Sequence, residues 1–158
     1  MKRNLLFLFS AWLIQFSAFA QGAFTVYDRL NSPLPENQCR YIGIDSVNRK
    51  WFCTEYGLAI YNDTSWEVYT TVNSSISDNS IKFVTWDHQG RAWIGTQNGG
   101  VNVFDGNSWT SYTTLNSGIA SNYVRSITID DHDTKWICTD NGLSVFDGVN
   151  WTTFDILN

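Results

Sequence analysis

The stretch Trp93-Ile94-Gly95-Thr96-Gln97-Asn98-Gly99-Gly100-Val101-Asn102-Val103-Phe104-Asp105-Gly106-Asn107-Ser108-Trp109-Thr110-Ser111-Tyr112 decides the fold, because its landmarks recur. Trp51, Trp93 and Trp136 lie 42 and 43 residues apart, and Trp66, Trp109 and Trp151 lie 43 and 42 apart. Asp45, Asp87 and Asp130 keep the same phase, as do Tyr69, Tyr112 and Phe154. A fixed period of this size marks a repeat architecture in which each unit is one supersecondary element. The middle unit is one residue longer, and the extra residue falls near Gly99-Gly100, as an insertion into a tight turn would.

Within a unit the segments are short, rich in β-branched and aromatic residues and bounded by turn residues, which reads as four strands. In the middle unit these are about Ile81 to Trp86, Ala92 to Thr96, Val101 to Phe104 and Trp109 to Thr113. The first turn carries Asn48, Gly90 or Asp133, types that tolerate a left-handed backbone. The second carries Tyr56-Gly57, Asn98-Gly99 or Asn141-Gly142, and Asn-Gly is the signature of a type I′ hairpin. The third carries Asn62-Asp63, Asp105-Gly106 or Asp147-Gly148. Each unit is therefore a four-stranded antiparallel meander.

Such a meander, apolar on both faces, needs a neighbour on each side. Radial stacking supplies both, so the expected fold is an all-β β-propeller of three four-stranded blades, at 38–70, 80–113 and 123–155. A β-sandwich would not require each Trp and turn to recur at a fixed interval. Phe24 and Tyr27 fall in phase with Trp66 and Tyr69, which predicts a lone outer strand at 24–28 before the first blade. Leu157-Asn158 repeats Leu115-Asn116, which continues into the next unit. Three blades are fewer than usually close a ring, so residues 21–158 are expected to be the N-terminal part of a larger propeller, with a self-assembling partial ring as the alternative.

Residues 1–20 read as a secretory signal peptide: Lys2 and Arg3 precede the apolar run Leu5 to Phe16, and Ala18-Phe19-Ala20 precedes the expected cleavage site at Gln21. The product is expected to be exported, periplasmic or secreted, with no membrane contact by the later segment. Formal net charge is -5, and -7 after loss of Lys2 and Arg3, which disfavours nucleic acid as a partner. Cys39, Cys53 and Cys138 have no metal-ligand spacing, so they are expected to be packing residues and no metal or cofactor is expected. Asp130-Asp131-His132-Asp133 falls in a first turn and reads as a solvated turn.

The run Trp-Ile-Gly-Thr with the later Phe-Asp-Gly, Trp and Tyr, as in Trp93-Ile94-Gly95-Thr96, Phe104-Asp105-Gly106, Trp109 and Tyr112, resembles the two-component regulator propeller repeat. Trp136, Thr139, Gly142, Phe146-Asp147-Gly148 and Trp151 carry it in the third unit, and the likeness spans 24–158. Cys53 and Cys138 depart from it at the motif Gly. The resemblance implies a ring of about seven blades in the periplasmic sensor region of a bacterial hybrid two-component system, associated with glycans. It also implies partners: the remaining blades, downstream sensor and kinase domains, and an oligosaccharide, with a homodimer as a further arrangement. Kinase activity would lie in those other domains.

Trp51, Trp93, Trp136, Trp66, Trp109 and Trp151 are expected to pack between blades. Ligand contacts are expected where the units differ or converge. Arg40, Lys82 and Arg125 share one position at the start of the innermost strand, suited to an anionic ligand, or else paired with acids such as Asp78 or Glu36. Glu55, Gln97, Asn98, Asp140 and Asn141 lie on the neighbouring turns, beside Asn37, Asn79 and Asn122, and Tyr56 is the candidate for stacking on a sugar. A secreted scaffold or adhesion module is the competing function. A propeller hydrolase or lyase ranks below both, since His88 and His132 sit in turns at the far end and no nucleophile, base and orienter can be named.

Overall fold

The computed structural model describes residues 24–155, so the signal segment and Leu157-Asn158 lie outside the described residues. Among the described residues, twelve strands form three four-stranded antiparallel sheets in simple meander order. The first blade is β1 (Cys39–Ile44), β2 (Lys50–Thr54), β3 (Leu58–Tyr61) and β4 (Trp66–Tyr69). The second is β5 (Ile81–Trp86), β6 (Ala92–Thr96), β7 (Val101–Phe104) and β8 (Trp109–Tyr112). The third is β9 (Val124–Ile129), β10 (Lys135–Thr139), β11 (Gly142–Phe146) and β12 (Trp151–Phe154). Successive blades meet through β1, β5 and β9, their innermost strands, which is the radial packing of a β-propeller.

The turns show which residues set the geometry. Asn48, Gly90 and Asp133 all take positive φ, at 66°, 77° and 64°, as their residue types predict. In the second turn only one residue is left-handed: Gly57, Gly100 and Gly142. A type I′ turn needs two, so the Asn-Gly reading is corrected. The Thr54, Thr96 and Thr139 hydroxyls instead donate to the carbonyls of Gly57, Gly100 and Gly142, closing each turn. That equivalence makes Gly99 the inserted residue of the middle unit.

Each blade is pinned at its first turn by an aspartate. Asp45, Asp87 and Asp130 accept the indole N–H of Trp51, Trp93 and Trp136 at 3.0, 2.9 and 2.9 Å. The other carboxylate oxygen accepts two backbone N–H groups of the turn, such as Gln89 and Arg91. Arg49 and Arg91 close the first two clamps, and Thr134 stands where the third would have its arginine. Burial works against the charge on Asp45 and Asp87, but the bonds from Trp and Arg outweigh it and hold both pKa values below the ordinary carboxylate range. The Trp136 bond and the turn amides bring Asp130 down to about 2.

Groups with depressed folded pKa contribute stability above their unfolded value, near 3.9, and lose it as pH falls through the folded value. Urea midpoints should therefore be level through neutral pH and drop between about pH 4 and 2. Asp87→Asn should be less stable at pH 7 and show a shallower drop.

Two cores fill the spaces between blades. Trp51, Leu58, Ile60, Ile81, Val84 and Phe104 form the first, and Trp93, Val101, Val124, Ile127, Ile137 and Phe146 the second. Trp86 meets Trp51 edge-on at 5.5 Å, and Phe146 lies 5.9 Å from Trp93. Trp51 and Trp93 are each 1% exposed, whereas Trp136 is 40% exposed and Cys138 is exposed. The expectation that Trp136 and Cys138 are buried is thus corrected: the face they share is one that the next blade covers in the other two units. At the other end Ile42 is 53% exposed where Val84 and Ile127 are buried, and Ile44 is 59% exposed where Trp86 and Ile129 are half-buried.

Residues 24–28, expected as a lone outer strand, pair with no described strand. Their side chains nonetheless sit in blade order. Tyr27 meets Trp66 at 5.5 Å and 72°, repeating Tyr69 on Trp109 at 5.4 Å and 65° and Tyr112 on Trp151 at 5.4 Å and 61°.

Candidate functional site

The three basic residues share a backbone cause. Cys39 pairs with Thr54 and Tyr41 with Cys53, so Arg40 is left out of the ladder. Lys82 is passed over between Ile81 and Phe83, and Arg125 between Val124 and Ser126, in the same way. Each is the extra residue of a β-bulge at the start of the innermost strand. Bulges release one residue from pairing and re-aim its side chain, and they recur beside binding sites.

The bulges bring Arg40, Lys82 and Arg125 to one cleft of about 210 Å³, which Tyr123 and Val124 complete. One cation comes from each blade. The Tyr123 ring lies 5.6 Å from Lys82 Nζ and 5.3 Å from Arg125 Cζ, so it stands against both charges. Tyr123 was not a candidate from sequence. Its signal was available, since it directly precedes the strand that bears Arg125.

Acidic partners come from a different place than expected. Arg40 pairs with Glu55 and Arg125 Nε reaches Asp140 at 2.6 Å, each within its own blade across the second turn. Asp78 instead accepts the Ser80 and Asn98 amides, and Glu36 accepts the Asn37 amide and lies 3.8 Å from Arg29. In the middle blade Gln97 takes the place of the acid, and its Oε1 accepts from the Ser80 hydroxyl at 3.2 Å. Among the described residues no carboxylate pairs with Lys82.

The remaining candidates divide. Tyr56 is exposed but does not line the basic cleft. Asp140 and Asn141 also border a separate groove of about 510 Å³ with Ala120 and Phe154. Asn98 is held at its amide by Asp78. Asn37, Asn79 and Asn122 accept the amides of Arg29, Thr71 and Thr114, a repeated loop brace that leaves them structural. His88 and His132 sit in first turns, at the other end of a six-residue strand from the bulges, about 17–20 Å away. Their amides donate to Asp133 and Asp130. Among the described residues no helix is long and apolar enough to cross a membrane, and no cluster of three potential metal ligands is found.

Comparison with known proteins gives one local family match and one fold. The family model "Two component regulator propeller" matches residues 75–98, which run from the loop before β5 to the second turn of the middle blade. No curated protein matches. Among solved structures, the extracellular domain of a protein described as a hybrid two-component system of B. thetaiotaomicron is similar, with TM-score 0.74 and 24% identity. The match covers 84% of this chain and 19% of that one. The extracellular domain of a protein described as a one-component system of the same organism has TM-score 0.61 and 24% identity, covering 70% and 16%. PorZ, a surface component of the type-IX secretion system of Porphyromonas gingivalis, has TM-score 0.62 and 19% identity, covering 76% and 19%. The chain therefore spans less than a fifth of each of these structures. It is a set of β-propeller blades in which residues 75–98 match the two-component regulator propeller model.

Proposed function

We propose that the chain is part of an exported sensor propeller that binds an oligosaccharide at the mouth formed by the innermost strands. The observation that carries this reading is the convergence of three bulge-directed cations, one per blade, on a single cleft. A packing role does not require a charged residue at every bulge. The repeat family and the likeness to extracellular sensor domains support the sensing part. A ligand seated there touches all three blades, so its binding free energy can bias the angles between them, and a downstream domain would read that bias. Additional blades complete the ring by covering the Trp136 face, as blades two and three cover Trp51 and Trp93. No reaction is assigned to this chain.

The competing reading, a secreted scaffold, draws on the exposed apolar faces at Ile42, Ile44 and Trp136, which suit docking to another protein surface. Binding assays on a glycan array with the complete exported protein separate the two. Saturable glycan binding that weakens when Arg40, Lys82 and Arg125 are all replaced by Gln supports the sensor. Absence of binding to every neutral and acidic glycan favours the scaffold and removes the sensor reading.

A further inference from the structure

The three repeats are not electrostatically equal, and the inequality falls at the cleft. In blades one and three the bulged arginine is matched by an acid of the second turn, Glu55 or Asp140. In blade two the equivalent residue is Gln97, so Lys82 keeps an uncompensated charge in a chain whose formal net charge is -5. The cleft's three cations only donate hydrogen bonds, and the acids beside two of them, Glu55 and Asp140, are paired with Arg40 and Arg125. A neutral sugar hydroxyl asks for both donors and acceptors, whereas a carboxylate only accepts. At about 210 Å³ the cleft is smaller than the roughly 300–1,000 Å³ of pockets for drug-sized ligands, which suits one charged unit of a longer chain.

We infer that the cleft selects a uronic-acid unit, its carboxylate held by Lys82 with Arg125 beside it, and that Gln97 sets this selectivity by withholding the acid its sister blades carry. Tyr123 stands against the Lys82 ammonium and the Arg125 guanidinium, and ring contact of this kind holds a cation in place without neutralising it. The inference rests on the oligosaccharide reading and narrows it to an acidic class.

Calorimetric titration of the full chain with trigalacturonate, galactotriose and inorganic phosphate tests it. Trigalacturonate should bind at least tenfold more tightly than galactotriose and than phosphate, and the preference should weaken as salt is raised. Lys82→Gln should cut the preference to threefold or less. Gln97→Glu should do the same by supplying Lys82 with the partner that Arg40 and Arg125 have. Lys50→Gln, which removes a cation paired with Asp63 away from the cleft, should leave the preference intact. Near-UV circular dichroism checks that each variant is folded, and if Gln97→Glu fails to fold, Lys82→Gln decides alone. Equal binding of the two trisaccharides overturns the acidic selectivity while leaving the oligosaccharide reading in place. A preference that survives in folded Lys82→Gln overturns the role of Lys82. Phosphate binding as tightly as trigalacturonate overturns the sugar as source of the charge, and wild-type chain that binds neither trisaccharide counts against both readings.

Discussion

Trp93→Ala is expected to lower the free energy of unfolding by about 3–5 kcal/mol, and Trp136→Ala by less than half of that. The two residues hold the same position in successive blades and make the same indole bond to an aspartate. They differ in cover. Trp93 is enclosed by Tyr112, Phe146 and the Lys135 ammonium, which lies 5.1 Å from its ring, so truncation opens a cavity between two blades and leaves Asp87 short of a donor. Trp136 already meets solvent over much of its surface, and its removal leaves little void. Urea unfolding followed by far-UV circular dichroism reads both. Equal losses would mean that the Trp136 face is covered in the protein as it stands.

Gly100→Ala ranks second, at about 2 kcal/mol or more. Gly100 has φ of 70°, and an added Cβ would lie 2.1 Å from the Tyr112 carbonyl oxygen, a backbone atom held in the β7 to β8 ladder. Neither the strain nor the clash can relax without parting the two strands. Gly148 separates the two contributions. Its φ is 102°, but an added Cβ would meet nothing within 4 Å, so Gly148→Ala should cost only the strain, about 1–2 kcal/mol. Similar losses at the two positions would show that the close approach at Tyr112 is not limiting.

The blade order was legible because packing between repeats forces landmarks to recur. Trp93, Asp87 and Asn48 each perform a task that every blade shares, and β5 to β8 coincide with the segments read from the middle unit, apart from Thr113. Residues whose environment depends on which blade follows were not legible. Trp136 and Cys138 have the sequence of buried positions, yet burial belongs to the neighbour, not to the repeat. The second turn misled for another reason: Asn98-Gly99 and Asn141-Gly142 carry the hairpin signature, but neither Asn is left-handed, and in the middle unit the insertion moves the left-handed position to Gly100.

At the candidate site the cations were visible as a period, while the bulges that gather them were not, since a one-residue slip in pairing leaves no mark in residue type. Pairing of Arg40 with Glu55 and Arg125 with Asp140 did leave a mark. Basic and acidic residues share the same two repeat positions in those units, and Gln97 breaks the pattern in the middle one. Aligning charges across repeats, rather than searching for the nearest acid in sequence, would have found it.

Ligand contact at the bulged cations can be read residue by residue from amide chemical shifts of the labelled chain during titration with trigalacturonate. The largest saturable changes should fall at Ser80 to Lys82, Gln97 and Tyr123 to Arg125, with the first turns at His88 and His132 unaffected. Shifts centred on those first turns, on Tyr56 or on the Trp136 face, with the bulges silent, would contradict that contact.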